Sequence, residues 1–396
     1  MAGRVFNHAG IPLERAHYNV GIVGGGLLGL SCAFWLKSLE PDLKVLIVEQ
    51  GGIPREGGAT QNSSGLFSLA NLEDRRTEAH WTLKILQDLE QITGIQRPHD
   101  PRFQQVGWLN LESTGTDRVL EPDLKFLSST AQSNLERLVN LSSVSQARFE
   151  SRGSYGSASS TALHFGFGAV AKGADLMLST RARAEAGSRN LTLERLDIDR
   201  WMNVFVARQE RVEVDKLIVA AGADTSCWLE QNLGLGFELP RHYVQHLRIS
   251  EKAALERLGG EVVMPVLEWG GFVLRPHLGG VLISLPPIAA DPADYVARGA
   301  NFMGVPVGLR REYLDPVLEA VNTLPCLNWP ELNLGKTALE LLGAFEVARE
   351  FPDWLEVEAG VYALFGGRRG FELGLSTALD LASSLLEKEK TERPWT

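Results

Sequence analysis

An apolar run that ends in three consecutive glycines constrains the fold of this chain more than any other feature. Val20-Gly21-Ile22-Val23 reads as a buried strand, and Gly24-Gly25-Gly26-Leu27-Leu28-Gly29 follows at once. Gly24, Gly26 and Gly29 fit G-x-G-x-x-G. The first glycine permits a tight turn, the second lets the backbone approach a pyrophosphate, and the third lets the following helix pack close to the strand. The next apolar run, Val45-Leu46-Ile47-Val48, ends in Glu49. This acid lies roughly 20 residues past the last glycine, where a carboxylate accepts from ribose hydroxyls. Loop amides and the helix N-terminus supply partial positive charge for phosphates. Strand, glycines, helix and acid in this order predict a dinucleotide site. A glycine-rich turn that only packs is the alternative.

Composition narrows the classes. At 396 residues the chain has room for two domains or one large one. Hydrophobic residues at 44% and charged residues at 22% read as an ordinary soluble globular protein. The net charge of −10 gives no basic footprint for nucleic acid. Cys32, Cys227 and Cys326 are far apart and odd in number, which fits no disulfide framework and no metal-ligand spacing. The N-terminus lacks the apolar core of a signal peptide, and no stretch is apolar for long enough to form a transmembrane helix. A cytoplasmic protein is the expectation.

Residues 1–18 read as a polar N-terminal extension. Leu27 to Leu39 has a helical apolar face, with Pro41 marking its end. The breaker-rich stretch 51–58 reads as a loop. Thr77 to Thr93 carries Trp81, Ile85, Leu89 and Ile92 at helical period, with Gly94 as its stop. From about 112 to 160 the sequence is polar and without a motif. Leu191 to Ile218 alternates as short antiparallel strands. His242 to Ile249, Glu261 to Leu267 and Gly271 to Leu285 form a second alternating block, expected as a sheet of another domain. Ser376 to Leu386 reads as a closing helix, and a charged tail follows.

The loop after Glu49, Gly58-Ala59-Thr60-Gln61-Asn62-Ser63-Ser64-Gly65, is small, polar and bounded by glycine. Its hydroxyls and amides suit a phosphate or the edge of a heteroaromatic ring; a solvated surface loop is the plainer reading. Together with the opening fingerprint, Val219-Ala220-Ala221-Gly222-Ala223 and Phe365-Gly366-Gly367-Arg368-Arg369-Gly370-Phe371-Glu372-Leu373-Gly374, this loop resembles the D-amino-acid-oxidase-like group of FAD-dependent oxidoreductases. That group includes glycine oxidase, sarcosine oxidase and D-amino acid dehydrogenases. The resemblance spans about 19 to 386, weakest in the middle.

The resemblance implies an α/β plus antiparallel β architecture: a Rossmann-like FAD-binding domain with an inserted substrate domain built on an antiparallel sheet. The FAD-binding domain would take 19–100, 151–240 and 336–396, and the substrate domain 101–150 and 241–335. Gly24, Gly26, Leu28 and Gly29 would bracket the pyrophosphate, with Glu49 on the ribose and Gln50 where relatives often have a basic residue. Thr60, Asn62, Ser64 and Gly65 would run toward the isoalloxazine, Gly222 would close a strand near the cofactor, and Gly366, Gly367 and Arg368 would approach the flavin from the far side. On the strand pair Gly271–His277 and Gly280–Ile283, Arg275 and His277 would meet an anionic substrate. A hairpin-surface charge is the alternative for Arg275. Arg368 is placed as the substrate-facing arginine, with Arg369 as a solvated or domain-bridging charge. Tyr243 and His246 either line the pocket or pack.

Departures from the family pattern carry equal weight. Leu342–Val347 holds no cysteine, which implies non-covalent FAD. Val281-Leu282-Ile283 is apolar where sarcosine oxidases use a lysine to promote reaction with oxygen. Glu346 stands near the position of the carboxylate-binding arginine of glycine oxidases, a change that favours a cationic amine. The stretch before the last strand is also shortened. The implied activity is oxidation of a C–N bond in a small amine or amino acid by hydride transfer to flavin N5. A dehydrogenase fits better than an efficient oxidase; the electron acceptor stays open. Two rival readings remain: an FAD-dependent 2-hydroxy acid dehydrogenase, and a flavin-bound binding or assembly protein with little turnover.

Overall fold

A computed structural model describes residues 2–53, 58–97, 103–112, 129, 146–184, 187–201, 203–249, 264–277, 280–289 and 339–388. Most of the polar stretch from 113 to 145, residues 54–57, Glu261, Cys326 and the tail past 388 lie outside the described residues.

The apolar run before the glycines forms the strand His17–Val23, and Val45–Val48 pairs parallel to it with Ile22 opposite Ile47. Val45–Val48 is buried along its whole length, as an inner strand of a parallel sheet covered on both faces must be. Asp175–Met177 continues the sheet on that side. On the other side lies the C-terminal half of a long strand, Val204–Val219, and parallel to it Val361–Phe365. The predicted hairpin is present. Asn190–Ile198 pairs antiparallel with the first half of Val204–Val219, whereas the buried second half of that strand belongs to the parallel sheet. One strand therefore serves both layers, which a local alternating pattern does not reveal.

Leu27–Leu39 forms as predicted, and it is buried nearly all round. The sheet lies on one side of it, and Ala158–Ala171 and Gly370–Leu385 lie on the other. Leu30, Phe34, Phe165, Leu375 and Leu379 share one core there. The opposite face of the sheet packs Leu46, Val48, Met177 and Val219 against Leu229 of the helix Thr225–Leu233.

The second sheet runs, in order, Leu339–Val347, Arg241–Ile249, Gly280–Ser284, Phe272–His277, Val266–Trp269, Trp108–Glu112 and Gln146–Glu150. Ile288–Ala289 adds to Arg241–Ile249. Its pairings are antiparallel except Val266–Trp269 with Trp108–Glu112. Two segments correct the expected layout. Leu339–Val347, grouped by sequence with the first domain, hydrogen-bonds along the whole of Arg241–Ile249. The N-terminal segment is more than a polar extension: Val5–Phe6 pairs parallel with Asp175–Met177, and buried Arg195 donates to the carbonyls of Phe6, His8 and Ile11. Both partnerships are long-range in sequence, so no local period announces them. The helix predicted over 77–93 breaks at Asp88 into Arg76–Gln87 and Leu89–Thr93, with Gly94 left-handed at its end as expected. The closing helix starts at Gly370, six residues before the predicted Ser376.

Candidate active site

The glycine turn excludes a side chain at its first and last glycines. Gly24 has φ +115°, and a Cβ there would lie 2.2 Å from the Ala220 carbonyl oxygen. A Cβ on Gly29 would lie 2.1 Å from the Gly24 oxygen. Gly26 caps the helix without a side-chain hydrogen bond, beside half-buried Leu28. Buried Glu49 closes the turn itself: its carboxylate accepts from the amides of Gly25 at 2.7 Å and Gly51 at 2.8 Å. A carboxylate has about four acceptor sites, so two remain for hydroxyls of a ligand. Gln50 beside it is half-buried.

The loop after Glu49 reaches both sheets. Thr60 Oγ1 accepts from the Leu27 amide at 3.0 Å, and Asn62 Nδ2 donates to the Gly343 carbonyl at 3.1 Å. Ser64 is half-buried, and Gly65 has φ +61°, its backbone against Gly156. Gly222 and Gly366 border open space, with nothing within 4 Å of where a Cβ would be. Gly367 packs under the Arg349 carbonyl, 2.6 Å from a built Cβ. Next to it, Arg369 forks onto Glu372 at 3.2 Å and reaches Glu350 at 3.1 Å, and Glu372 also accepts from the Ser68 amide. Burial pushes the Glu372 carboxyl up to about 7, with Arg369 working against the rise.

A polar cluster sits on the second sheet. Arg275 is 4% exposed, donates to the Pro276 carbonyl at 2.9 Å, and contacts His277 Nδ1 at 3.3 Å. Its guanidinium lies 5.2 Å from the centre of the Tyr155 ring. Its Nε has no hydrogen-bond partner, and no carboxylate among the described residues pairs with it. Burial lowers its pKa to about 10. His246 is buried with Nδ1 3.0 Å from Ser284 Oγ, and its Nε2 lacks a partner. Burial, then the charge of Arg275, lowers both His246 and His277 to about 4.

Residues 19–324 match the family model of FAD-dependent oxidoreductases. The chain belongs to this family. Among solved structures it is similar to glycine oxidase from Geobacillus kaustophilus, with TM-score 0.65 and 15% identity, covering 94% of this chain and 96% of that one. It is also similar to L-amino acid deaminase from Proteus myxofaciens, with TM-score 0.68 and 14% identity, covering 98% and 94%. At such identities the likeness shows the fold. FAD-dependent oxidoreductase domain-containing protein 1 of Bos taurus is 28% identical over 126 residues, 31% of this chain and 26% of that protein. The chain thus matches about a quarter of that relative's length.

FAD fits the residues present: a turn that excludes a Cβ at Gly24 and Gly29, a helix N-terminus without a side-chain bond from its N-cap residue, uncommitted acceptor sites on Glu49, and open space at Gly222 and Gly366. Other sites predicted from sequence are spread out. Arg275 and His277 come together, joined by His246. Tyr243 does not join them: it stacks on Phe345 with centroids 5.2 Å apart, in a small core with Ala223. In the strand Arg241–Ile249 it occupies the face opposite His246, because side chains alternate. Glu346 lies 3.6 Å from His242, so it already faces a polar partner. The Arg368 side chain is 57% exposed and 4.0 Å from Glu350, while its neighbour Arg369 pairs with both Glu350 and Glu372. Tyr155 carried no sequence signal, being a lone aromatic on a two-residue strand. Among the described residues no group of His, Cys, Asp and Glu could hold a metal, and no helix is long and apolar enough to cross a membrane.

The depressed histidines set a pH dependence. Both are neutral when folded and titrate near their ordinary value when unfolded, so the unfolded state binds more protons between about 4 and 6.5. Stability therefore falls as pH drops through that window. His246, fully buried, accounts for up to about 3 kcal/mol of this loss. Denaturant titrations of wild type and His246→Gln at pH 7 and pH 4.5 are expected to show a smaller pH loss in the variant. Glu372 titrates in both proteins and cancels in the comparison. Equal losses would place the His246 ring in water.

Proposed function

We propose that this flavoprotein oxidises the C–N bond of a small amino acid whose carboxylate is held by Arg275. The carrying observation is the buried guanidinium whose Nε lacks a hydrogen-bond partner and which pairs with no carboxylate among the described residues. Burying a charge without a counter-ion is costly, and a substrate carboxylate supplies the missing partner through two parallel hydrogen bonds. The neutral forms of His246 and His277 leave the positive charge of this cluster to Arg275, with Arg248 also acting on His277. Because Arg275 donates to Nδ1 of His277, that ring carries its proton on Nε2, where it donates to the substrate. Bound FAD would supply the hydride acceptor for this oxidation, and the oxidised C–N bond would then be hydrolysed by water to a carbonyl compound and an amine or ammonia. The chain's contribution is to fix the substrate by its carboxylate, so that one carbon is presented repeatedly to the cofactor.

The names of the structural neighbours support the substrate class: glycine oxidase, L-amino acid deaminase and an L-proline dehydrogenase. Buried Val281, Leu282 and Ile283 support a dehydrogenase over an efficient oxidase. The test is a spectrum of purified yellow protein mixed anaerobically with amino acids and with 2-hydroxy acids. Bleaching by an amino acid with release of ammonia or an amine is expected. Bleaching by hydroxy acids alone would reassign the bond oxidised to C–O. No bleaching by either would favour a binding role.

A further inference from the structure

We infer that Tyr155 is a positioning residue that sets Arg275 at a fixed place relative to the cofactor loop, an inference resting on the reading of Arg275 as the carboxylate holder. Ser154–Tyr155 pairs on one side with Leu66–Phe67, directly after the loop through Thr60, Asn62 and Gly65, and on the other with Gln104–Gln105. The Gly156 amide donates to the Gly65 carbonyl at 2.8 Å, and a Cβ on Gly65 would lie 1.9 Å from the Gly156 oxygen. Backbone therefore touches backbone, and the Cα of Tyr155 moves with the end of the cofactor loop. The Tyr155 hydroxyl donates to Gln104 Oε1 at 2.7 Å, which holds the ring. Its face lies 5.2 Å from the Arg275 guanidinium, which belongs to the other sheet. One ring thus connects the flavin loop to the substrate sheet.

The chemistry of this contact suits the task. A π face attracts a desolvated guanidinium without neutralising it. A carboxylate in the place of Tyr155 would fix Arg275 equally well but would occupy the fork that a substrate needs. Among the described residues, Arg275, His277, His246 and the Tyr155 phenol are the charged and titratable groups of this cluster, with Arg248 acting on His277. None of them is a carboxylic acid.

The test uses holoprotein and benzoate as the probe, read by calorimetry and by perturbation of the flavin absorption. Tyr155→Leu is expected to weaken benzoate at least tenfold and to lower kcat as well as raise KM, with FAD content unchanged. Tyr155→Phe keeps the ring and is expected to stay within about threefold of wild type. If Tyr155→Leu does not fold, Tyr155→Met supplies the non-aromatic comparison at fuller volume. Wild-type benzoate affinity in a non-aromatic variant overturns the role of Tyr155. Wild-type affinity in Arg275→Met overturns instead the carboxylate reading beneath it.

Discussion

Replacing Arg275 by methionine is expected to raise KM for a carboxylate substrate a hundredfold or more while leaving the protein at least as stable as wild type. Hydrogen bonds to charged groups contribute roughly 1.5–3 kcal/mol each, so losing a two-pronged contact to a carboxylate reaches that range. The stability result has the opposite sign from most core substitutions. Arg275 is 4% exposed and has no carboxylate partner among the described residues, so the folded protein without substrate bears the desolvation of its charge. Methionine of similar length removes that burden and keeps the contact with Tyr155. Steady-state kinetics and thermal denaturation check the two halves together. A variant that loses both affinity and several degrees of Tm would mark Arg275 as a structural residue.

The second large effect concerns the glycine turn. Gly24→Ala is expected to yield protein without bound FAD and destabilised by about 3 kcal/mol or more, because strain and collision act together. Its φ is +115° and the new Cβ would lie 2.2 Å from a backbone oxygen that cannot swing away. Gly222→Ala provides the contrast. Its φ of +62° costs a side chain about 1–2 kcal/mol, but the space around it is open. The FAD-to-protein absorbance ratio and denaturant midpoints should rank Gly24→Ala far below Gly222→Ala. Equal behaviour would mean that the turn relaxes freely.

Features decided within a few neighbouring residues were legible in the sequence. The strand, turn, helix and Glu49 rest on local period and on glycine geometry, and the helix forms over Leu27–Leu39 as read. Even here the structure adds a function: Glu49 first ties Gly25 and Gly51 together before it can meet a ribose. Features set by long-range pairing were not legible. Leu339–Val347 finds its partner about a hundred residues earlier, and Val5–Phe6 finds its partner beyond residue 170. Arg368 and Arg369 are adjacent and chemically identical, and only the backbone's exit from the Gly366-Gly367 turn sends one to solvent and the other to Glu372. Arg275 was visible as a candidate, but its lack of a carboxylate partner among the described residues is a property of packing. Tyr155 emerges only when two sheets are seen to meet.

In the function proposed, Arg275 selects a carboxylate-bearing amine for oxidation. The most direct measurement is anaerobic single-turnover bleaching of the flavin by an accepted amino acid and by the amine that lacks only its carboxylate. Rapid bleaching by the amino acid is expected, with bleaching at least a hundredfold slower at equal concentration by the amine, and loss of that difference in Arg275→Met. Equal bleaching of the wild-type protein by both compounds would contradict it.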